Sequence, residues 1–458
     1  MAKKKLLTSL LCVALVSPLA ACNKNPDNSS NNENTNSNEV LETINNAAVA
    51  TKNKLAEELK KDVVSIKVDF GYTGSSTEYL VEVEKIYQND TEISATTETH
   101  DPETYSGVLT GSLVGNLDNK YYTDFLATEG NTTLTNSTVA FAKIEQNNKQ
   151  FDKDNKEEYS STSLLEARFD GTEMVTRGKQ NENVFERSQE TDVDTNYAIA
   201  SVVAGLKEAS TMSEEDATSM FKQILMGYMN IDTTNEEMVA QFESLYNTVF
   251  GFLGGSVTSQ QVVDTIFPML PGSGDLSEDD VIAMKKLFVA LLDYVKALEL
   301  TNIVKYATTT EDGETVATLT FDYAAFKTFV SRVFDELTKL FTENIPDAEA
   351  EDAVIEEDMA EFEETFLAAL PETLDLSVSF GIKGGLISSF AYDVDIDGFD
   401  LAGPTSLSSS NPSTDGIEKY HSYTSHTTAF EMDAYVSFEF GTSAYTIPDF
   451  SISVPVAQ

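Results

Sequence analysis

The sequence predicts an α+β fold: a mainly antiparallel, half-barrel-like sheet drawn from both ends of the chain and covered by a central group of amphipathic helices. Three observations carry it. Apolar and polar residues alternate near both termini, the middle of the chain switches to helical spacing, and strands come in hairpin-joined blocks instead of alternating singly with helices. At 458 residues and 41% hydrophobic content the chain can bury a full core. Residues 39–458 are expected as one large domain; the alternative divides them into a strand-rich lobe, 39–195, and a mixed lobe, 196–458.

From Glu39 to about Asp62 the chain is rich in Lys, Glu, Ala and Leu without Pro or Gly, which predicts a helix. Val64, Ile66, Val68, Phe70 and Tyr72 then alternate with Ser65, Lys67, Asp69 and Gly71, the period of a strand with one wet face. Further strands are expected at Tyr79 to Tyr87, Tyr105 to Leu117, Lys120 to Ala127, Val139 to Ile144 and Leu164 to Phe169. Asp170-Gly171 is a hairpin turn leading into Thr172 to Arg177.

Between Asn196 and Leu300, Met220, Phe221, Ile224, Leu225 and Tyr228 recur at helical spacing, as do Met238, Phe242, Leu245, Val249 and Phe252. Ser213 with Asp216, Thr234 with Glu237 and Thr258 with Gln261 have the spacing of a capping box or its Asp variant. The segment from Glu278 to Leu300 is the most apolar, but Lys285, Lys286, Asp293 and Lys296 interrupt it, so it predicts a core helix and not a membrane span.

A hairpin at Ile303 to Phe321, around Glu311-Asp312-Gly313, precedes an amphipathic helix from Tyr323 to Phe341 and a second one carrying Ile355, Met359, Phe362, Phe366 and Leu370. The chain closes on strands: Leu374 to Ile382, Phe390 to Ile396 and Thr427 to Phe440. Hairpin-then-helix occurs twice, at Leu164 to Lys207 and at Ile303 to Phe341, without residue-level self-similarity.

The N-terminus reads MAKKKLLTSLLCVALVSPLAAC: a basic patch at Lys3 to Lys5, an apolar run from Leu6 to about Val16, and small residues before a cysteine. That is an export signal, too short for an ordinary spanning helix. Leu19-Ala20-Ala21-Cys22 resembles the lipobox of bacterial lipoproteins. The resemblance covers these residues alone and implies a signal peptide at 1–21, cleavage before Cys22, and a diacylglyceryl group on its sulfur. The bland alternative is cleavage at a neighbouring small residue, which leaves Cys22 an ordinary thiol. One acyl chain holds a membrane weakly and two hold it stably, at about 0.8 kcal/mol per buried methylene, so the implied anchor would keep the protein on the extracytoplasmic face. The polar run from 22 to 38 is expected as a flexible tether.

The chain has two cysteines; Cys12 lies in the signal and Cys22 would carry lipid, so the body has no thiolate chemistry and no disulfide. Losing residues 1–21 removes three lysines and no acid, which takes the formal charge from −46 to −49. Such a surface repels nucleic acid and anionic lipid headgroups.

Asp393, Asp395, Asp397 and Gly398 match the start of an EF-hand calcium loop, but the twelfth position, where a bidentate glutamate is required, is Pro404, and the flanks are not helices. The three aspartates are therefore weak metal candidates, and the wet side of a strand is the better reading. Ser219-Met220-Phe221-Lys222 matches Ser-x-x-Lys of penicillin-recognising enzymes without the accompanying elements. His100, His421 and His426 lie in polar stretches; five positions between the last two suit neither a helix face nor one strand face. No phosphate-binding loop, nucleophile elbow or zinc-protease motif occurs.

The expected function is accordingly that of a lipid-anchored extracytoplasmic lipoprotein, not an enzyme and without a cofactor, that binds an apolar ligand or a protein partner. The element order resembles bacterial lipid-carrier lipoproteins with half-barrel sheets. A solute-binding lipoprotein of a transporter and a structural or adhesive surface protein are the alternatives.

Overall fold

The computed structural model describes residues 34–88, 91–190, 193–228, 231–253, 255–269, 277–297, 303–311, 313–344, 352–403, 405–409, 417–441 and 444–453. Its strands are β1 (Val63–Gln88), β2 (Thr91–Thr99), β3 (Glu103–Asp118), β4 (Val139–Phe151), β5 (Glu157–Phe169), β6 (Glu173–Gln180), β7 (Asn183–Glu190), β8 (Val304–Glu311), β9 (Glu314–Phe321), β10 (Thr373–Lys383), β11 (Leu386–Ala402), β12 (Ser406–Ser409) and β13 (Ile417–Gly441). They form one 13-stranded sheet in the order β7-β6-β5-β4-β3-β1-β13-β11-β10-β9-β8, with β2 paired to β1 and β12 to β13.

The sheet is organised by its two longest strands. β1 and β13, of 26 and 25 residues, pair antiparallel from Ser65↔Gly441 to Gln88↔Ile417, a run of about 80 Å at about 3.3 Å per residue. Beyond the bulge at Thr77/Glu78, β2 and β12 flank this pair as a ribbon, and β2 is exposed throughout. Cross-strand ladders hold the ribbon: Tyr87 meets Tyr420 edge-on at 5.5 Å and the Tyr79 ring stacks on His426 at 4.7 Å.

Contacts divide the chain into two compact units. The first holds the described residues up to Ala50 and those of 208–309 and 319–370; the second holds those of 51–207, 310–318 and 371–458.

In the first unit, helices α4 (Glu214–Tyr228), α5 (Glu236–Leu253), α6 (Ser259–Ile266), α7 (Glu278–Ala297), α8 (Tyr323–Asn344) and α9 (Asp352–Ala368) pack each on the next in the series. Phe334 of α8 meets Phe362 and Phe366 of α9, and Lys285 of α7 pairs with Asp264 of α6 at 2.8 Å. Thr258 and Gln261 form the expected capping box, and Ser213 and Asp216 bond reciprocally. At α5 the cap is Asn235, whose side-chain oxygen accepts from the amides of Glu237 and Met238, in place of Thr234.

In the second unit one end of the sheet is buried. The C-terminal half of α1 (Asn34–Glu58), α2 (Asn119–Ala127) and the N-terminal part of α3 (Val193–Thr211) contribute Leu55, Tyr122, Phe125 and Ala200 to the buried set. Phe125 meets Tyr197 edge-on at 4.9 Å, and Asn136 donates to Asn196 at 3.2 Å. The segment 444–453 is pinned to the sheet. Asn116 exchanges two hydrogen bonds with the Tyr445 backbone, and the Glu166 carboxylate accepts from the amides of Ser451 and Ile452 at 2.9 and 3.1 Å.

The structure corrects the expected fold class. The sheet is open and not half-barrel-like: its order ends on β7 and β8, which are not paired to each other. Lys120 to Ala127, expected as a strand, is helix α2. The Asp118 side chain accepts from the Tyr121 amide as N-cap, and Tyr121, Tyr122 and Phe125 fall on one buried side. Val64 to Tyr87 is one strand and not two. α1 begins at Asn34, inside the stretch expected as tether; Val40 and Ile44, one helical turn apart, are buried and anchor its N-terminal half.

Candidate functional site

The registers place side chains on two faces of the sheet, and the faces differ in charge. On one, Phe380, Phe390, Val436, Phe70, Gly111, Ile144, Leu165, Gly178 and Phe185 lie in a single row across nine strands, β10-β11-β13-β1-β3-β4-β5-β6-β7. The row through Tyr72 adds Val378, Tyr392, Leu109 and Gln146; the row through Ser76 adds Ile396, Phe430, Tyr105, Gln150 and Tyr159. In the six rows from Ile66 to Ser76, Arg187 is the one charged side chain among the described residues. The chain as a whole carries 76 acids and 30 bases, so an area of this width with no acid and a single base is not the composition repeated at random.

Glycines make this face level. The Phe70 ring covers Gly111, where a Cβ would come within 2.1 Å of it; the Phe185 ring covers Gly178 at the same distance, and the Tyr72 phenol covers Gly74 at 2.2 Å. Rings that lie along a sheet over glycine, instead of standing up from it, shield the backbone and leave a flat surface. Towards β10 and β11 the face is buried, at Phe380 and Val394. Towards β7 it is open to solvent: Ile144 is 37% exposed, Leu165 40%, Phe185 42%, Tyr105 40% and Tyr159 57%. Exposed apolar and aromatic area of this extent marks an interaction surface, and depletion of charge with enrichment of aromatics is the composition of interface cores.

The opposite face carries the acids. Asp393, Asp395 and Asp397 all project there, and buried Val394 between the first two points the other way. Asp393 lies opposite Asp433, and Asp395 opposite Glu431 on one side and Asp375 on the other. The sequence thus put the three aspartates on the wet side of a strand, where the structure has them; Gly398, at φ +68°, belongs to a bulge in β11 and not to a calcium loop. Among the described residues no three His, Cys, Asp or Glu side chains are arranged to hold a metal ion.

Crowding has a consequence for titration. The hydrogen bond to Asp433, then partial burial and the charges of Asp433, Asp395 and Asp375, push the Asp393 carboxyl up to about 6. Its folded value lies above the ordinary 3.8, so its contribution to stability is complete below that pH and is lost as the pH rises through about 6. Asp433→Asn is expected to abolish the carboxyl midpoint near pH 6 in an NMR titration and to make the chain more stable at pH 7; an unchanged midpoint would contradict the pairing.

His421 and His426 do not converge, whereas His421 and His100 both reach Glu82. His421 and His426 sit on opposite faces of β13, the first with Nδ1 2.8 Å from Glu82 and the second with Nδ1 2.6 Å from Asp400; His100 lies 3.6 Å from Glu82. Lys222 of the Ser-x-x-Lys match lies over the Tyr246 ring and donates to Asn247, a packing role on a helix. Two adjoining clefts, of about 370 and 250 Å³, open at the end of the β10–β11 hairpin, where Lys383, Ser388, Phe438 and Glu439 line both. Cys22 lies outside the described residues, and no described helix is long and apolar enough to cross a membrane.

No known protein family matches the chain, and no curated protein does. Two solved structures overlap with it in length. One is a Pseudomonas aeruginosa FadL homologue, 7% identical over 85% of this chain and 94% of its own, with a TM-score of 0.11. The other is the P. putida toluene transporter TodX, 6% identical over the same shares, with a TM-score of 0.09. Superpositions that poor carry no argument about fold or function.

Proposed function

We propose that the chain is a lipid-anchored, extracytoplasmic bacterial lipoprotein without catalytic activity, which binds an apolar ligand or a protein partner through the charge-free face of its sheet. The observation that supports this is the asymmetry of the two faces: acids crowd one, while the other keeps exposed Ile144, Leu165 and Phe185 with no acid in six rows. Exposed apolar surface is unfavourable by about 25 cal/mol per Å², so a monomer left with such an area gains by covering it.

The test is a fluorescent apolar dye, which brightens on accessible hydrophobic surface. The chain from residue 22 onward, made with Cys22→Ser so that no detergent is needed, should enhance the dye, and adding Ile144→Asp with Leu165→Asp should remove most of the signal while the circular dichroism stays unchanged. Equal enhancement by both proteins would contradict the reading. For the anchor, Cys22→Ser in cells is expected to move the protein from the membrane fraction to the soluble fraction, since the acyl chains supply the holding energy; retention in the membrane fraction would contradict lipidation.

A further inference from the structure

The open part of the charge-free face changes chemistry along its strands. Around Ile144 and Leu165 it is aliphatic. Three rows further on it becomes tyrosine and amide: Tyr105 and Tyr159 flank Gln150 in the row of Ser76, with Asn148, Gly107 and Ser161 in the row beneath. Glu103 at the rim accepts from the Tyr105 hydroxyl at 2.5 Å and from the Gln150 amide at 2.9 Å, and Gln146 donates to Asn148 at 3.2 Å, so the polar groups are held in place by each other. Tyr105 and Tyr159 are two strand steps apart, about 10 Å.

We propose that this tyrosine and amide platform binds a neutral polysaccharide. A sugar ring offers a flat array of C–H bonds that stacks on an aromatic ring, and a rim of hydroxyls that pairs with amides. Two tyrosines about two strand spacings apart match alternate rings of an extended glycan. Charge selects the same partner, since the one ionised group bonded into the platform, Glu103, is already paired with Tyr105 and Gln150. An acidic polymer is repelled by a chain of net charge −46, and a cationic one is drawn to the opposite, carboxylate-bearing face. A protein partner is disfavoured on this part of the face because its two exposed rings on β3 and β5 are set among amides, with no aliphatic anchor in the two rows across β3, β4 and β5. The proposal rests on the face being the binding surface, and it names the ligand class for one part of it.

Affinity electrophoresis of the same Cys22→Ser chain through gels containing hydroxyethylcellulose, glucomannan, glycol chitin or dextran, with polygalacturonate as the acidic control, tests it. At least one neutral polymer should retard the protein and polygalacturonate should not. Tyr105→Ala and Tyr159→Ala should each weaken retardation about tenfold, the upper range of a single aromatic contact. Tyr159→Phe, which keeps the ring, should retard like the parent, and that comparison holds even where an alanine variant folds poorly. Migration unaffected by all four neutral polymers, or retardation equal in the parent and both alanine variants, overturns the proposal. Dye enhancement that persists without any retardation would remove the glycan and leave the face to an apolar ligand or protein partner; loss of both would remove the binding surface itself.

Discussion

Glu166→Ala should free the C-terminal segment from the sheet. Glu166 is 1% exposed, and its carboxylate accepts from the backbone amides of Ser451 and Ile452 and from the Ser451 hydroxyl. Truncation removes a charged acceptor and leaves donors without a partner, a loss of about 3 kcal/mol, given about 1.5 to 3 kcal/mol for a hydrogen bond to a charged group plus the desolvation of what remains unpaired. The Arg177 guanidinium, which donates to the Ile452 carbonyl at 3.0 Å and covers the Phe450 ring at 4.3 Å, holds the segment only in part. Amide exchange at Ser451 and Ile452 should therefore quicken by about 100-fold, at about 1.4 kcal/mol per factor of ten. Glu166→Gln keeps a carbonyl acceptor for the two amides and should cost about 1 kcal/mol. Unchanged protection in the alanine variant would show that the segment is held by other contacts.

Gly171→Ala is the second large effect. Gly171 has φ +92° in the turn between β5 and β6, and a Cβ there would come 2.3 Å from the Asn136 carbonyl oxygen. The conformation alone costs about 1 to 2 kcal/mol for an L side chain, and the clash is with backbone, which cannot step aside as a flexible side chain could. Asp170 fixes the turn by accepting from the amides of Thr172 and Glu173 and from the Thr172 hydroxyl, which also holds its carboxyl below the usual range. A loss of about 3 kcal/mol or more is expected in urea unfolding. Gly313→Ala is the control: φ is +79° but nothing lies within 4 Å of the added Cβ, so only the backbone term, about 1 kcal/mol, should remain. Equal losses at the two sites would mean that the Asn136 contact contributes nothing.

Some of this was legible in the sequence because it depends on one strand at a time. The alternation from Phe390 to Ile396 places Asp393, Asp395 and Asp397 on the wet side without reference to any neighbour, and the Asp170-Gly171 turn and the Thr258 capping box are local signals. The charge-free face is not local. Tyr105 and Tyr159 are 54 positions apart and share a row only through the registers of β3, β4 and β5, and the amides at Gln146, Asn148 and Gln150 do not read as part of one face until pairing aligns them with Leu109, Gly107 and Tyr105.

The misread elements have physical causes. Lys120 to Ala127 contains Tyr, Thr and Phe, residues of high strand preference, and the Asp118 cap with burial of Tyr122 overrides that preference. Exposed β2 and β7, with sequences TEISATTET and NVFERSQE, lack an apolar period because at most one side of each needs to be dry.

The charge-free face, and not the acidic one, is expected to meet a partner. Photo-crosslinking in the producing cells decides it most directly, with a benzophenone amino acid placed singly at Tyr159, Leu165 and Phe185 on one face and at Asp393, Asp395 and Glu145 on the other. Irradiation should give adducts of raised mass from the first three positions and little from the second three. Adducts concentrated at the aspartates, or spread evenly over both faces, would contradict binding through the charge-free face.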